Sequence, residues 1–124
     1  MMDKSEMILL VGASMGALGV VFGAFGAHAF KARLTERESV GTWDTAVRYH
    51  LVHALALVLL GILTQLPGSL VNMTTIAFFA FTLGIVLFSG SLYLLALGGP
   101  RWLGPVTPIG GIALIVGWIC LGLG

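Results

Sequence analysis

The stretch from Tyr49 to Pro100 contains no charged residue. A helix needs about 20 apolar residues to cross the ~30 Å hydrocarbon core of a bilayer, so this stretch is long enough for two crossings. A soluble domain of ordinary composition carries charges far more often than this. The stretch therefore predicts membrane-spanning helices, whose limits have to be found from turn chemistry.

The composition of the whole chain agrees with this prediction. Hydrophobic residues make up 58% of the 124 residues, charged residues make up 9%, and the mean hydropathy is +1.06. This length accommodates four crossings and little else. The predicted fold class is an all-α integral membrane protein, a four-helix bundle with antiparallel up-down topology and short loops. The single cysteine, Cys120, excludes an internal disulfide.

Turn-forming residues set the limits of the predicted spans. Pro67 and Gly68 end the second span, and Asn72 or Thr74 can cap the third. The chain is predicted to form one transmembrane domain, residues 1–124, with spans at 7–30, 43–66, 74–97 and 106–124.

The connection between the first two spans carries many of the charges. Thr35 and Glu38 match the capping-box motif, in which each side chain bonds to the backbone of the other residue. We therefore expect the second helix to begin near Glu36, in the membrane interface. The N-terminal MMDKSE is too acidic for a secretory signal, so the first span is expected to remain in the protein.

Basic residues predict the orientation, because Lys and Arg in short loops favour the cytoplasmic side. One side of the membrane has only Lys4. The other side has Lys31, Arg33, Arg37, Arg48 and Arg101. We expect a multi-pass protein of the cell membrane, a bacterial inner or plasma membrane, with both termini outside. Loops 31–42 and 98–105 are then cytoplasmic.

The first span carries glycines separated by alternating steps of four and three residues. At 100° per residue they lie within an arc of about 80° on one helix face. Such a face lets another helix approach closely and gain van der Waals contact in lipid. The residues of this glycine stripe are Gly12, Gly16, Gly19, Gly23 and Gly26.

His28 ends this span on a different face, about 160° from Gly12. If the glycine stripe packs within the subunit, His28 faces the headgroups or the following loop. If the stripe joins two copies, His28 can turn toward His50. Both arrangements are compatible with the sequence.

Polar residues concentrate in one leaflet, where spans 1 and 3 end and spans 2 and 4 begin. On the second span, Trp43, Ala46, His50, His53 and Leu57 are spaced by threes and fours, which predicts a stripe facing a partner helix. The candidate polar site combines this stripe with other residues of the same leaflet and consists of His28, His50, His53, Ser89, Ser91 and Tyr93.

Three interpretations of the inward histidines are open. Their ring nitrogens can bond to Ser89, Ser91 or Tyr93 and fasten the bundle. They can handle a proton or a solute, since ionisable residues inside a bundle are candidates for function. They can bind a metal or haem, but only His28 is left to supply a further histidine ligand. We predict no metal site and no cofactor.

Asp44 and Arg48 lie on nearly the opposite face of the second span. At a spacing of four residues they can form an ion pair, and Arg48 can also extend to the lipid headgroups. We expect an interfacial ion pair that anchors the helix.

No catalytic residue is predicted. The chain has no phosphate-binding loop, its glycines follow no strand, and no inward carboxylate is placed to orient a histidine beside Ser89 or Ser91. We therefore expect no enzyme activity and no nucleic-acid partner. The expected partners are the lipid bilayer and either a second copy of the chain or another membrane protein.

Four segments in order resemble a known family: GAFGAHAF, TWDTAVRYHLVHALALVLLG, FSGSLYLLAL, and TPIGG with a later GW. They cover most of the chain except the N-terminus and the 67–80 connection. The chain resembles the small membrane proteins grouped as domain of unknown function 423, also called the transmembrane protein 256 family. This resemblance implies a compact multi-pass protein of bacterial membranes and implies no activity.

The function expected from these observations is that of a structural or accessory membrane protein that self-associates or joins a larger complex. One alternative is a minimal oligomeric transporter or proton-linked carrier that uses His50 and His53. A second alternative is a haem- or metal-binding membrane protein.

Overall fold

The computed structural model describes all 124 residues and contains helices, turns and no strand. Four helical units are long and apolar enough to cross a membrane: span 1 (Lys4–Ala27), span 2 (Val40–Leu63), span 3 (Val71–Ala96) and span 4 (Arg101–Leu123). The predicted all-α, four-span architecture is confirmed. The elements in chain order are α1 (Lys4–Ala27), α2 (Lys31–Glu36), α3 (Val40–Leu63), α4 (Val71–Gly84), a π-helical segment (Ile85–Ser89), α5 (Gly90–Ala96), a 3-10 turn (Arg101–Leu103) and α6 (Val106–Leu123).

Span 1 begins one turn earlier than predicted because Asp3 caps it. The Asp3 carboxylate accepts a hydrogen bond from the backbone N–H of Glu6 at 2.9 Å, and the Glu6 carboxylate accepts one from the backbone N–H of Asp3 at 3.3 Å. This reciprocal pair satisfies N–H groups that have no partner inside the helix. The helix limits thus shift from 7–30 to Lys4–Ala27.

The capping box predicted at Thr35 and Glu38 is wrong. Thr35 lies inside α2, where its hydroxyl donates to the Lys31 carbonyl at 2.7 Å. Glu38 adopts a left-handed conformation with φ 56° in the turn before α3. The motif gave a wrong prediction because a Thr hydroxyl can bond to the carbonyl of the preceding helical turn as readily as it can cap a helix N-terminus.

The predicted caps of span 3 are also wrong. The helix begins at Val71, and Leu70 precedes it without a side-chain cap. The Thr74 hydroxyl donates backward to the Val71 carbonyl at 2.9 Å instead of capping. Asn72 lies within the first turn and is exposed.

The four spans pack in a zigzag order. Span 1 packs along span 2, span 2 along span 3, and span 3 along span 4, whereas spans 1 and 4 form no packed interface. Antiparallel neighbours joined by short connections produce this order. It leaves one groove between spans 1 and 3 and a second groove between spans 2 and 4.

The glycine stripe of span 1 faces span 2 within the same chain. A Cβ on Gly12 would lie 2.9 Å from the backbone nitrogen of Val58, and one on Gly26 would overlap the Trp43 ring. Gly16 and Gly23 have more room, with Ala54 at 4.0 Å and Val47 at 3.4 Å from the added carbon. The stripe therefore serves the contact between spans 1 and 2.

Span 3 contains a π-helical turn where span 4 approaches most closely. A Cβ on Gly110 would collide with the backbone of Phe88, which lies in the π-helical segment. Such a turn adds a residue to the helix and changes which side chains face each neighbour. At the end of this turn, Ser89 points toward span 2 and donates to the Ala46 carbonyl at 2.7 Å.

The connection between spans 1 and 2 closes the end of span 3. Arg33 donates to the Leu97 carbonyl at 2.9 Å, Arg37 donates to the Ala96 carbonyl at 3.1 Å, and Ser39 donates to the same carbonyl at 2.7 Å. Carbonyls at a helix C-terminus have no partners within the helix, and cations are favourable there. The basic loop is therefore a cap for span 3.

Candidate functional site

His50 is buried in an aromatic cluster between spans 1, 2 and 3. Its side chain is 3% exposed, and a hydrogen bond of 2.8 Å joins its Nδ1 to the Tyr93 hydroxyl. The Phe22 ring lies 4.8 Å from the Tyr93 ring and 6.1 Å from the His50 ring, measured between centroids. The Trp43 ring also packs against Tyr93, with 4.7 Å between the centroids. The predicted pairing of an inward histidine with Tyr93 is therefore present.

The second ring nitrogen of His50 is left without a hydrogen bond. Nε2 is buried and has no partner, although the Met15 backbone lies close to the ring. A cavity of about 210 Å³ opens beside the ring, between spans 1 and 3; we call it the His50 groove. It is lined by Met15, Leu18, Phe22, His50, Ile85, Val86, Gly90 and Tyr93.

His53 has both ring nitrogens paired. Nδ1 donates to the Tyr49 carbonyl at 2.6 Å, and Nε2 accepts from the Trp118 indole N–H at 2.9 Å. A carbonyl can only accept and an indole N–H can only donate, so these partners define the neutral tautomer with its proton on Nδ1. His53 thereby connects spans 2 and 4.

A larger groove lies beside His53, between spans 2 and 4. We call it the His53 groove, and its volume is about 490 Å³. Phe88 of span 3 is at its back, 4.7 Å from the Tyr49 ring. The groove is lined by Tyr49, Val52, His53, Phe88, Pro108, Gly111, Ile112, Leu114, Ile115 and Trp118.

The two serines of the candidate site bind elsewhere. Ser89 donates to the Ala46 carbonyl, as described above, and Ser91 donates to the Phe88 carbonyl at 2.9 Å. Ser91 also shares a hydrogen bond of 2.6 Å with the Thr107 hydroxyl of span 4. Neither serine bonds to a histidine, so these residues fasten span 3 to its two neighbours separately.

His28 does not join the histidines of span 2, which corrects its place in the candidate site. It follows the last residue of α1, is exposed, and forms hydrogen bonds only through its backbone. Because the glycine stripe packs within the subunit, the His28 face of the helix is turned outward. The His, Cys, Asp and Glu side chains form no cluster of three or more ligands.

Asp44 and Arg48 are both exposed on the outer face of span 2 and form no salt bridge, so the predicted ion pair is wrong. Helical phase correctly predicts that both side chains point outward. It does not predict whether they pair, because long side chains at an interface can bind water and headgroups instead. Arg48 lines a small cavity of about 220 Å³ together with Tyr49, Val52 and His53.

Two polar features do not follow from the sequence patterns. Trp118, the partner of His53, lies on span 4, whose helical phase relative to span 2 depends on the packing of span 3 between them. The second feature is at the opposite end of the bundle, where Lys4 donates to the Val71 carbonyl at 3.0 Å, the Thr74 hydroxyl at 2.9 Å and the Thr75 hydroxyl at 2.6 Å. An apolar helix beginning with a lysine gives no signal for this contact.

Four apolar spans, with interior polar groups bonded between helices, define a small multi-pass integral membrane protein. The family model described as a protein of unknown function, DUF423, matches residues 22–111. The chain belongs to this family, and the resemblance noted in the sequence is confirmed. This match includes both histidines of span 2 and most of the residues that bond to them.

Relatives of similar length carry the same description. The chain is 39% identical over 116 residues to UPF0382 membrane protein SH2409 of Staphylococcus haemolyticus, covering 94% of this chain and 92% of the relative. It is 38% identical over 116 residues to UPF0382 membrane protein YwdK of Bacillus subtilis, covering 94% and 93%. No solved structure matches the chain. The names of these bacterial relatives and the four spans support a location in the cell membrane.

Proposed function

We propose that the protein is a structural or accessory component of the cell membrane, and not an enzyme, a carrier or a cofactor protein. The observation that carries this proposal is the pairing of His53, whose two nitrogens are used by Tyr49 and Trp118. A proton carrier that uses both His50 and His53 needs, in each ring, a nitrogen that can gain and lose a proton along a path. In His53 that position is taken by an indole N–H.

We expect the protein to self-associate or to assemble with another membrane protein. Within the chain, 17% of the apolar stretch of span 1 and 22% of that of span 4 are buried, compared with 44% for span 2. The outer spans thus keep most of their surface for lipid or for a partner. Since the glycine stripe is covered by span 2, a contact between copies would use another face.

A transport measurement tests this proposal against the carrier alternative. The purified protein is placed in liposomes that contain a pH-sensitive dye, and a proton gradient is imposed. We expect the same proton flux as in liposomes without protein. Our proposal would be refuted, and the carrier established, by a protein-dependent proton flux that is abolished by His50→Gln or His53→Gln. The same flux should be retained in the exposed control His28→Gln.

Association is measured on the same preparation in nanodiscs by mass photometry and chemical crosslinking. We expect particles with two or more copies, or a stable complex recovered from the native membrane. A protein that stays monomeric at every lipid ratio and has no copurifying partner contradicts the structural role.

We also propose that both termini face the outside and that loops 31–42 and 98–105 face the cytoplasm. Support comes from the excess of Lys and Arg at one end of the bundle. In a Cys120→Ala background, Leu66→Cys should react with an impermeant maleimide on intact cells, whereas Lys31→Cys should react only after lysis. The reverse pattern refutes this orientation.

A further inference from the structure

We propose that the His53 groove binds one anionic phospholipid, with an acyl chain between spans 2 and 4 and the headgroup phosphate at Arg48. This inference concerns a ligand site, and it holds whether or not the protein associates with other copies.

The shape of the groove suits a chain-like apolar ligand. Its volume of about 490 Å³ lies within the range of about 300–1,000 Å³ that is common for small-molecule sites. The lining from Pro108 to Trp118 extends over about 15 Å of helix axis at 1.5 Å per residue. Seven of the ten lining residues are hydrophobic.

The polar groups of His53 and Trp118 in the groove need no partner from a ligand. The ring nitrogens of His53 and the indole N–H of Trp118 are bonded to protein groups. A hydrogen-bonding solute would therefore gain nothing in this part of the groove, whereas an acyl chain would contact Ile112, Ile115 and Trp118 without loss.

A cation lies at the interfacial end of the groove. The small cavity lined by Arg48 shares Tyr49, Val52 and His53 with the larger groove, so the two spaces adjoin. Arg48 is about 12 Å along the helix axis from Val40 at 1.5 Å per residue, close enough to the interface for its long side chain to reach a headgroup. Asp44 does not line either space.

Arg48 is also free to bind a phosphate. Arg33 and Arg37 are occupied by the carbonyls at the end of span 3, and Arg48 forms no hydrogen bond or salt bridge within the chain. A guanidinium group can donate two parallel hydrogen bonds to a phosphate. The charge and the apolar groove together favour an anionic phospholipid over a zwitterionic one.

Titration of the delipidated full chain with phosphatidylglycerol or phosphatidylcholine, followed by native mass spectrometry, tests the headgroup contact. We expect one saturable phosphatidylglycerol, bound more tightly than phosphatidylcholine. Arg48→Gln should weaken this binding about fivefold, as expected for one basic residue at a membrane surface. The control Arg101→Gln changes an exposed arginine at the same membrane end and should have no effect. Equal losses in both variants, or none in Arg48→Gln, overturn the headgroup assignment.

Two glycines provide a matched test of the acyl-chain site. A Cβ on Gly111 has its first neighbour, the Phe88 ring, at 3.7 Å, and a Cβ on Gly90 of the His50 groove has none within 4 Å. Gly111→Leu should fill the His53 groove and lower retention of the lipid, whereas Gly90→Leu should leave it unchanged. Ile112→Trp narrows the same groove from its exposed edge and should repeat the loss.

Three results overturn the acyl-chain site. The first is equal retention in Gly111→Leu and Gly90→Leu when Ile112→Trp also retains the lipid. The second is lipid loss from Gly90→Leu alone. The third is an efficient disulfide between copies carrying Ile112→Cys, since this would place a second protein chain over the groove instead of a lipid.

Discussion

The two histidines of span 2 lie three residues apart on one helix, and both are buried, but their surroundings differ. His53 forms two hydrogen bonds, one to the Tyr49 carbonyl of its own helix and one to Trp118 that joins spans 2 and 4, and it lies beside the larger groove. His50 forms one hydrogen bond with Tyr93, and its Nε2 has no partner. A three-residue step turns a side chain by about 300°, or 60° backward, which is enough to direct the two rings toward different neighbours.

The difference shows that burial and residue type do not by themselves define a site. His53 behaves as a fixed connection whose tautomer is determined by its partners. His50 retains an unused nitrogen in an apolar setting, where an unpaired polar group costs free energy. Of the two, His50 therefore has the smaller contribution to stability.

The largest effect is expected from glycines that touch a neighbouring backbone. Gly110→Ala places a carbon into the backbone of Phe88 on the His53 side and should lower the free energy of unfolding by about 3 kcal/mol. Gly12→Ala meets the Val58 nitrogen at 2.9 Å on the other side, so its loss should be smaller. Unfolding in detergent, followed by circular dichroism, measures both values.

The controls for these two variants are nearby glycines at which an added Cβ has room. Gly111→Ala and Gly16→Ala, whose added carbons make ordinary contacts of 3.7 Å and 4.0 Å, should be neutral or stabilising because alanine favours a helix more than glycine does. If all four substitutions have the same effect, close backbone approach is not what distinguishes the glycines.

A double-mutant cycle on His53 and Trp118 should give the next largest effect. His53→Leu leaves the Trp118 N–H without an acceptor in an apolar environment, and Trp118→Phe removes the donor. We expect a coupling free energy of about 1 kcal/mol, within the range measured for hydrogen bonds between membrane helices. The same unfolding measurement applies, and additive single effects would show that the 2.9 Å contact contributes nothing.

The corresponding cycle on His50 and Tyr93 should give a smaller coupling, about 0.6 kcal/mol. The change His50→Leu removes one hydrogen bond, which lowers stability, and also removes the unpaired Nε2, which raises it. The two effects on the free energy of unfolding partly cancel. The double variant with Tyr93→Phe should be close to the parent in stability. A coupling larger than that of His53 and Trp118 would reverse the comparison.

The smallest effect is expected at low pH, in the stability of the N-terminal turn of span 1. Span 1 lies on the His50 side of the molecule only. The hydrogen bonds from the Glu6 backbone and from the Ser5 side chain lower the pKa of Asp3 below its ordinary 3.8. The stabilisation of the cap is therefore present above pH 3.8 and is lost as the pH falls through the lower pKa of the folded state.

Amide protection measured by NMR at about pH 5.5 and about pH 3, corrected for intrinsic exchange, tests this effect. Protection of Glu6 and Met7 should fall in acid, whereas that of Thr74 at the start of span 3 should not. Asp3→Asn keeps a capping side chain without its charge, so it should remove the dependence on pH. Equal acid loss in the parent and in this variant contradicts the role of the Asp3 carboxylate.

Much of this architecture could be predicted from the sequence because lipid imposes simple rules. Apolar length and turn residues located four spans, and the spacing on span 2 placed His50 and His53 inside. Caps were predicted less well, since Thr35 occurs in a motif that is compatible with both a cap and a helix interior.

The choice among the candidate histidine partners could not be predicted, for a geometric reason. The π-helical turn at Ile85–Ser89 adds a residue to span 3 and so changes the phase of every later side chain. Ser91 consequently faces span 4 instead of the histidines, and Tyr93 faces His50. Contacts between residues far apart in the sequence, such as Lys4 with Thr74, have no local signal either.

The arginines that close the end of span 3 act at two stages in the life of the protein. During synthesis, Arg33 and Arg37 leave the ribosome before span 3 exists and can only act as charges that bias the orientation of their loop. Once span 3 has inserted, the same two side chains bind its last carbonyls. Variants that remove them to reverse the topology would therefore also weaken the finished fold, and the two consequences would have to be separated by pulse labelling during insertion.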